Sequence, residues 1–183
     1  GHERHGDAGA DAGRRRQVIH GLDEAEHRAE DAEGGGVAAG GFEHEPDRRG
    51  FNSLTPEERR EFWEELYAKP GFGIWLGNFR ETFMDEEANA ELSAFIAEKI
   101  RQRVMDPAVA EKLIPKDHGF GVQRVPMETH YFEVYNQDNV ELVDVSETPI
   151  ERVTSTGIQT SAGHYDLDVI VYATGFDAIT GAY

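Results

Sequence analysis

Cysteine is absent from all 183 residues, basic side chains are scarce at 18 Lys plus Arg against 36 Asp plus Glu, and the longest apolar run is only Val169 to Ala173. Each shortage excludes something. Without cysteine there is no disulfide framework, no thiolate metal site and no cysteine nucleophile. A formal charge of −18 and a pI near 4.7 argue against nucleic acid and anionic membrane surfaces as partners, because both are held by clustered positive charge. The apolar run falls far short of a membrane span, and the polar start of the chain lacks the apolar stretch of a signal peptide. A soluble, cytoplasmic protein is expected, and its length suits about one domain and a half.

What is present falls into three kinds of material. Residues 1–50 hold 11 Gly, 8 Ala, seven Arg and five of the eight His, but few large apolar residues. Such a stretch buries too little surface to offset its ordering entropy, so it reads as disordered or as the product of a misread frame. From Leu54 onward Thr55-Pro56-Glu57-Glu58 forms a capping box with Pro at the first helical position, and Phe62, Trp63, Leu66 and Tyr67 share one helical face up to Lys69-Pro70-Gly71. Asp85 caps a second helix to about Met105, whose buried stripe is Ala88, Leu92, Phe95, Ile96, Ile100 and Val104. Asp106-Pro107 opens a short third helix that Pro115 ends. Beyond Lys116 strands are expected at Val140 to Val145, in a hairpin from Ile150 to Thr160, and at Val169 to Ala173, whose unbroken apolar character suits a fully buried strand. Periodicity leaves Tyr131 to Tyr135 open between strand and helix.

Chemistry-bearing motifs are few. The glycine strings Gly34 to Ala39 and Gly71 to Gly77 resemble phosphate-binding fingerprints, but neither follows a buried strand and opens a helix, as a pyrophosphate site requires. No His pair has metal-ligand spacing, so no metal site is expected, and no nucleophile elbow occurs. The dense carboxylates of residues 54–116 read as a solvated face. Arg124 stands out because residues 119–183 contain ten acidic and only two basic side chains. It reads either as a surface ion pair or as a rigid fork for a phosphate, carboxylate or developing oxyanion. The turn Thr174-Gly175-Phe176-Asp177 reads either as a plain strand end or as a place where backbone approaches a cofactor.

Taken together, Phe72 to Phe79 (FGIWLGNF), Ile114 to His118 (IPKDH), Gln123-Arg124, Asn136 to Val140 (NQDNV) and Val171 to Ala178 (VYATGFDA) resemble the central part of a Baeyer-Villiger monooxygenase of the cyclohexanone and phenylacetone monooxygenase type. The resemblance spans about Phe42 to Tyr183. It implies an α/β fragment of a two-dinucleotide-binding flavoprotein, with residues 52–118 as a helical insertion, 119–170 as the second part of an NADPH-binding domain and 171–183 as the return toward an FAD domain. It implies FAD and NADPH as cofactors, with O2 and a small-molecule ketone as substrates. Arg124 then falls at the catalytic arginine, while Gln123, Ala173, Thr174, Gly175, Phe176 and Asp177 fall at cofactor-binding positions. Gln123 departs from the lysine common there, and supplies a hydrogen bond without a charge. The family's FxGxxxHxxxW fingerprint and a strand-linked GxGxxG are both missing, so a fragment inactive by itself is expected. The alternatives are a related flavin monooxygenase acting on nitrogen or sulfur, and a non-catalytic acidic helical binding module.

Overall fold

The computed structural model describes residues 17–19, 44, 46–123 and 125–173. Its helical part is built from locally encoded caps. Helix α1 (Pro56–Ala68) begins at Thr55, whose hydroxyl accepts from Glu58 N at 3.2 Å while the Glu58 carboxylate accepts from Thr55 N at 2.8 Å. This reciprocal pair satisfies two of the donors that a helix start leaves free. A single helical turn, α2 (Gly73–Leu76), and a 3₁₀ turn at Arg80–Phe83 lead to α3 (Glu86–Arg103). Asp85 caps α3 by accepting from Ala88 N at 2.9 Å, and Glu86 and Glu87 stand in its electropositive first turn. Asp106 caps α4 (Pro107–Leu113), and α5 (Tyr131–Val134) settles as helix the stretch whose periodicity was ambiguous. Among the described residues no helix is long and apolar enough to cross a membrane.

The expected apolar stripes become two adjoining cores. Phe51, Trp63, Leu66, Phe79, Ala88, Leu92 and Phe95 form one, and Ile100, Val104 and Ala110 form the other, with Ile96 packed against both. Two tilted aromatic contacts, Phe62 on Phe79 at 4.9 Å and Trp63 on Phe95 at 5.7 Å, tie α1 to its neighbours; such pairs add about 0.5–1.5 kcal/mol beyond area burial. At the centre of the first core Asn78 is fully buried. Its Oδ1 accepts from Trp63 Nε1 at 3.0 Å and from Phe79 N at 2.8 Å, and its Nδ2 donates to Ile74 O at 3.0 Å. The Gly71-to-Phe79 stretch is thus a packing turn, with Phe79 fully buried.

The carboxylates of this unit are less free than a solvated face implies. Buried Arg59 donates to both Glu91 oxygens at 2.9 and 2.7 Å and to Leu54 O at 2.8 Å, with its guanidinium 4.0 Å over the Phe51 ring. Arg60 pairs with Glu98, Lys99 with Glu64, and Arg101 with Glu111. Periodicity shows which face of a helix is polar, but not which opposite charge lies across the seam.

Strands account for the remainder. β1 (Gln17–Ile19) runs parallel to β2 (Val140–Leu142), so the low-complexity first fifty residues supply a strand. β2 is shorter than the expected Val140 to Val145. β3 (Ile150–Val153), β4 (Gly157–Thr160) and β5 (His164–Asp166) form an antiparallel three-stranded sheet, with the expected hairpin between β3 and β4. Gly157 is required there, since a Cβ on it would collide with the Tyr165 carbonyl of β5. One expectation fails. Val169 to Ala173 forms no strand, and Val169, Val171 and Tyr172 are 74, 83 and 68 % exposed. An apolar run is buried in a sheet only when strands flank it and layers cover both faces, and no such neighbours occur among the described residues.

Asn78→Leu tests the polar centre of the core. It removes the acceptor of two buried N–H groups, and each stranded donor costs about 1–3 kcal/mol. A fall of the urea midpoint equivalent to roughly 2–5 kcal/mol is expected, whereas an unchanged midpoint would mean that Asn78 does not order this turn.

Candidate functional site

The strip Gly119–Glu128 carries Gln123 and Arg124, and both of its ends are fastened to α3. At the first end Asn89 and Ser93, one turn apart on α3, meet the backbone of Phe120. Ser93 Oγ accepts from Phe120 N at 2.8 Å and donates to Asn89 Oδ1 at 3.2 Å. Asn89 Nδ2 donates to Phe120 O at 2.9 Å and to Thr82 O at 2.7 Å. Two glycines make this approach possible. A Cβ on Gly119 would collide with the Asn89 amide, and Gly121 has φ +77°, with a hypothetical Cβ 3.0 Å from the Trp75 ring. The left-handed backbone at Gly121 would cost a side-chain-bearing residue roughly 1–2 kcal/mol.

At the second end Glu128 meets Arg103, the last residue of α3. The Arg103 guanidinium donates to Glu128 at 2.6 and 3.1 Å, to Glu133 of α5 at 2.6 and 2.8 Å, and to the Tyr67 hydroxyl at 3.1 Å. It also lies 4.9 Å from the centre of the Phe132 ring. Glu128 in turn accepts from Tyr131 N at 2.8 Å and so helps to start α5. Hydrogen bonding to Glu133 and Glu128 raises the Arg103 pKa further above its usual range, and hydrogen bonding to Arg103 holds Glu133 below the ordinary carboxylate value. Beside them Asn136 accepts from Met105 N at 2.8 Å and donates to Arg103 O at 2.7 Å, which closes the C-terminal end of α3. Tyr135 donates to the Tyr131 hydroxyl at 2.9 Å, and burial raises its pKa.

Of the residues singled out from the sequence, Gln123 is exposed on this strip and Ala173 is exposed at the other end of the described chain. Arg124, Thr174, Gly175, Phe176 and Asp177 lie outside the described residues. The fastening residues Asn89, Ser93, Arg103, Glu128 and Glu133 were not anticipated. A signal for the first pair existed: Asn89 and Ser93 are polar at i, i+4 beside the apolar positions Ala88 and Leu92, a spacing that puts both on one edge of the buried stripe. The Arg103 ion pairs join residues 25 and 30 positions apart, and no local pattern encodes them.

The described residues alone do not make a dinucleotide cradle. The N-termini of α1, α3 and α4 are each closed by their own capping side chain, and α1 and α3 add acidic residues in the first turn, where a phosphate would be repelled. The Gly71-to-Gly77 string opens only the four-residue α2 and follows a helix rather than a strand. The Gln123 side chain is exposed to solvent.

No family model matches the chain. Its sequence is 58 % identical over 141 residues to the 2-oxo-Δ3-4,5,5-trimethylcyclopentenylacetyl-CoA monooxygenase of Pseudomonas putida, covering 77 % of this chain and 26 % of that protein. It is 40 % identical over 149 residues to a Baeyer-Villiger monooxygenase of Pseudooceanicola batsensis, covering 80 % and 27 % respectively. The crystal structure of OTEMO in complex with FAD and NADP superposes with a TM-score of 0.74 at 58 % identity, over 75 % of this chain and 26 % of that one. The chain spans about a quarter of the length of the curated relatives it matches.

The Arg103 junction has a pH signature. Because the Glu133 pKa is depressed in the folded state, its contribution is complete above the ordinary carboxylate range near 4.3 and is lost as pH falls through the lower, folded value. Glu133→Gln should therefore flatten the acid side of a stability profile measured by thermal melting. Arg103→Gln, which leaves the partly buried Glu128 without its cation, should cost roughly 2–4 kcal/mol and speed proteolysis between Gly119 and Tyr131. Unchanged proteolysis would show that the strip is held by other means.

Proposed function

Since the chain belongs to the Baeyer-Villiger monooxygenase family, we propose that it is the part of such an enzyme that presents a catalytic arginine, Arg124, to a ketone undergoing oxygen insertion to an ester or lactone. The observation that carries this reading is the doubly fastened strip Gly119–Glu128, the segment in which Gln123-Arg124 matches the family pattern. Bound FAD, reduced by NADPH, would activate O2, of which one oxygen atom enters the ester and the other leaves as water. Among the described residues the N-termini of α1, α3 and α4 are capped, so the dinucleotide cradles are assigned to residues outside them.

The chemistry assigned to this chain is electrostatic. A guanidinium is permanently charged and planar, and it offers several donors at once, so it stabilises negative charge on oxygen as the ketone carbonyl is attacked without giving up its own proton. Scarcity sharpens that role, because Arg152 is the only other cation among residues 119–183 and lies in the exposed strand β3. Gln123, one residue earlier, offers an N–H to the 2′-phosphate of NADPH but no charge, so selection of NADPH over NADH by this position is modest. Ala173 and the turn Thr174 to Asp177 are assigned to the cofactor side by the same motif match. Nucleic acid is not assigned as a partner, given the acidic balance of the chain.

In the full-length enzyme, Arg124→Ala should reduce ester formation by about 10²–10³-fold or more, the scale of losing a main oxyanion donor, while FAD reduction by NADPH remains measurable. Retained ester formation would refute the assignment, and a wild-type enzyme that oxygenates amines or sulfides but never ketones would favour the nitrogen- or sulfur-acting alternative. Gln123→Lys should lower KM for NADPH relative to NADH by about tenfold, since a hydrogen bond to a charged group contributes about 1.5–3 kcal/mol. Equal changes for both cofactors would place residue 123 away from the phosphate.

A further inference from the structure

We propose that Asn89 and Ser93 of α3 are positioning residues for Arg124, acting through the turn Gly119–Gly121; the proposal rests on the catalytic reading of Arg124 given above. Arg124 lies midway in sequence between Phe120 and Glu128, four residues from each, and both of those residues are fastened to the same helix. Along α3 the two fastening points are separated by 10 to 14 residues, or about 15–21 Å at 1.5 Å per residue. Eight residues of extended chain reach at most about 26–29 Å. Both ends of the strip are therefore tethered to one rigid helix, and the grip at those ends, rather than tautness between them, is what restricts it.

The two ends are not equivalent. At Glu128 the grip is made by long side chains, whose heads can shift while keeping a salt bridge. At Phe120 both the backbone N–H and the backbone C=O are held, by two short side chains that also bond to each other. Holding donor and acceptor of one residue fixes the orientation of the peptide units on either side of it. The neighbouring glycines leave no room for play: Gly119 lies directly on the Asn89 amide, and Gly121, at φ +77°, lies on the Trp75 indole, whose Nε1 is buried without a hydrogen-bond partner. The second bond of Asn89, to Thr82 O at 2.7 Å, anchors the amide to the fully packed turn around Phe79, so its own rotamer is locked. A group that stabilises developing charge requires closely held geometry, and the grip of α3 on the Phe120 peptide units, four residues before Arg124, is the feature through which we assign that role to Asn89 and Ser93.

Asn89→Asp is the discriminating variant. It keeps the shape and the acceptor used by Ser93, but replaces the two N–H donors with an oxygen facing the Thr82 and Phe120 carbonyls. Ser93→Ala is the milder second variant, and Ser93→Thr restores the hydroxyl. Two measurements are read. In the 183-residue chain without cofactor, hydrogen exchange of the amides from Phe120 to Gln123 should accelerate by about tenfold or more in Asn89→Asp and Ser93→Ala, and should remain near wild type in Ser93→Thr. In the full-length enzyme, ester formed per NADPH consumed should fall about fivefold or more in the first two variants, with KM for the ketone within about twofold, and Ser93→Thr should recover it. Faster exchange with unchanged coupling would overturn the proposal, because the clamp would then be structural only, and so would unchanged exchange. A wild-type enzyme that makes no ester would instead refute the functional reading itself, and retained coupling in the Arg124→Ala variant would refute the role of Arg124 independently of the clamp.

Discussion

Arg103 is the interaction on which the arrangement of the strip depends. Its guanidinium ends α3 and receives Glu128 from the strip, Glu133 from α5 and the Tyr67 hydroxyl from the end of α1. One side chain thus joins the end of the helical unit to the start of the segment that leads into the strands. A lysine in its place would keep the charge but could not meet two carboxylates in a planar, bidentate manner. Because the site is partly buried, with Arg103 and Glu128 each 22 % exposed in their side chains, the pairs are less screened than surface pairs and more sensitive to loss of either partner. Asn136 next to it completes the junction by satisfying the last carbonyl and the first free N–H beyond the helix, which gives the Asn136-to-Val140 motif a structural role independent of any ligand.

The acidic character of the chain follows the same logic at lower strength. Of the nine Lys and Arg between Leu54 and His118, six form ion pairs with carboxylates, so little positive charge is left over to attract anions. Most of these pairs are exposed and each contributes only about 0–1 kcal/mol. Their effect is better seen as registration of α3 against α1 and α4 than as a source of stability. Arg59, like Arg103, is an exception, because it is buried, bonded to two backbone carbonyls and stacked on Phe51, and its loss would strand groups that water cannot reach.

Local codes were legible in the sequence, and long-range ones were not. Thr55, Asp85 and Asp106 announce their helices because a cap needs only residues two or three positions away, and the Gly157 turn announces its hairpin for the same reason. Buried stripes at helical spacing were equally plain, down to Val104 beyond the end of α3. The junction at Arg103 was hidden, since an arginine at a helix end is ordinary and its carboxylates lie 25 and 30 residues further on. The Asn89–Ser93 clamp was half visible: the two polar positions at the edge of an apolar stripe were readable, but their partner, the backbone of Phe120, has no side-chain signature. Gln123 and Arg124 are singled out only through their place in a family pattern, because composition marks Arg124 as scarce without saying what it touches, and Arg124 lies outside the described residues.

Val169 to Ala173 shows how a correct reading of residues can give a wrong reading of structure. The run has the β-branched, unbroken apolar character of a strand buried on both faces, yet it is exposed and unpaired among the described residues. Strand formation is a property of a sheet rather than of a segment, since each strand needs hydrogen-bonding neighbours on its edges and packed layers on its faces. The relatives are about three times as long as this chain, and a strand shared with a larger sheet is what such a run would encode within them. The contrast with α1 and α3 is physical: a capped amphipathic helix makes its backbone hydrogen bonds within itself and needs only one covered face. The helical unit therefore fastens both ends of the strip Gly119–Glu128 without help from a sheet around Val169, which is why, among the described residues, the fastening is formed while Val169 to Ala173 is not a strand.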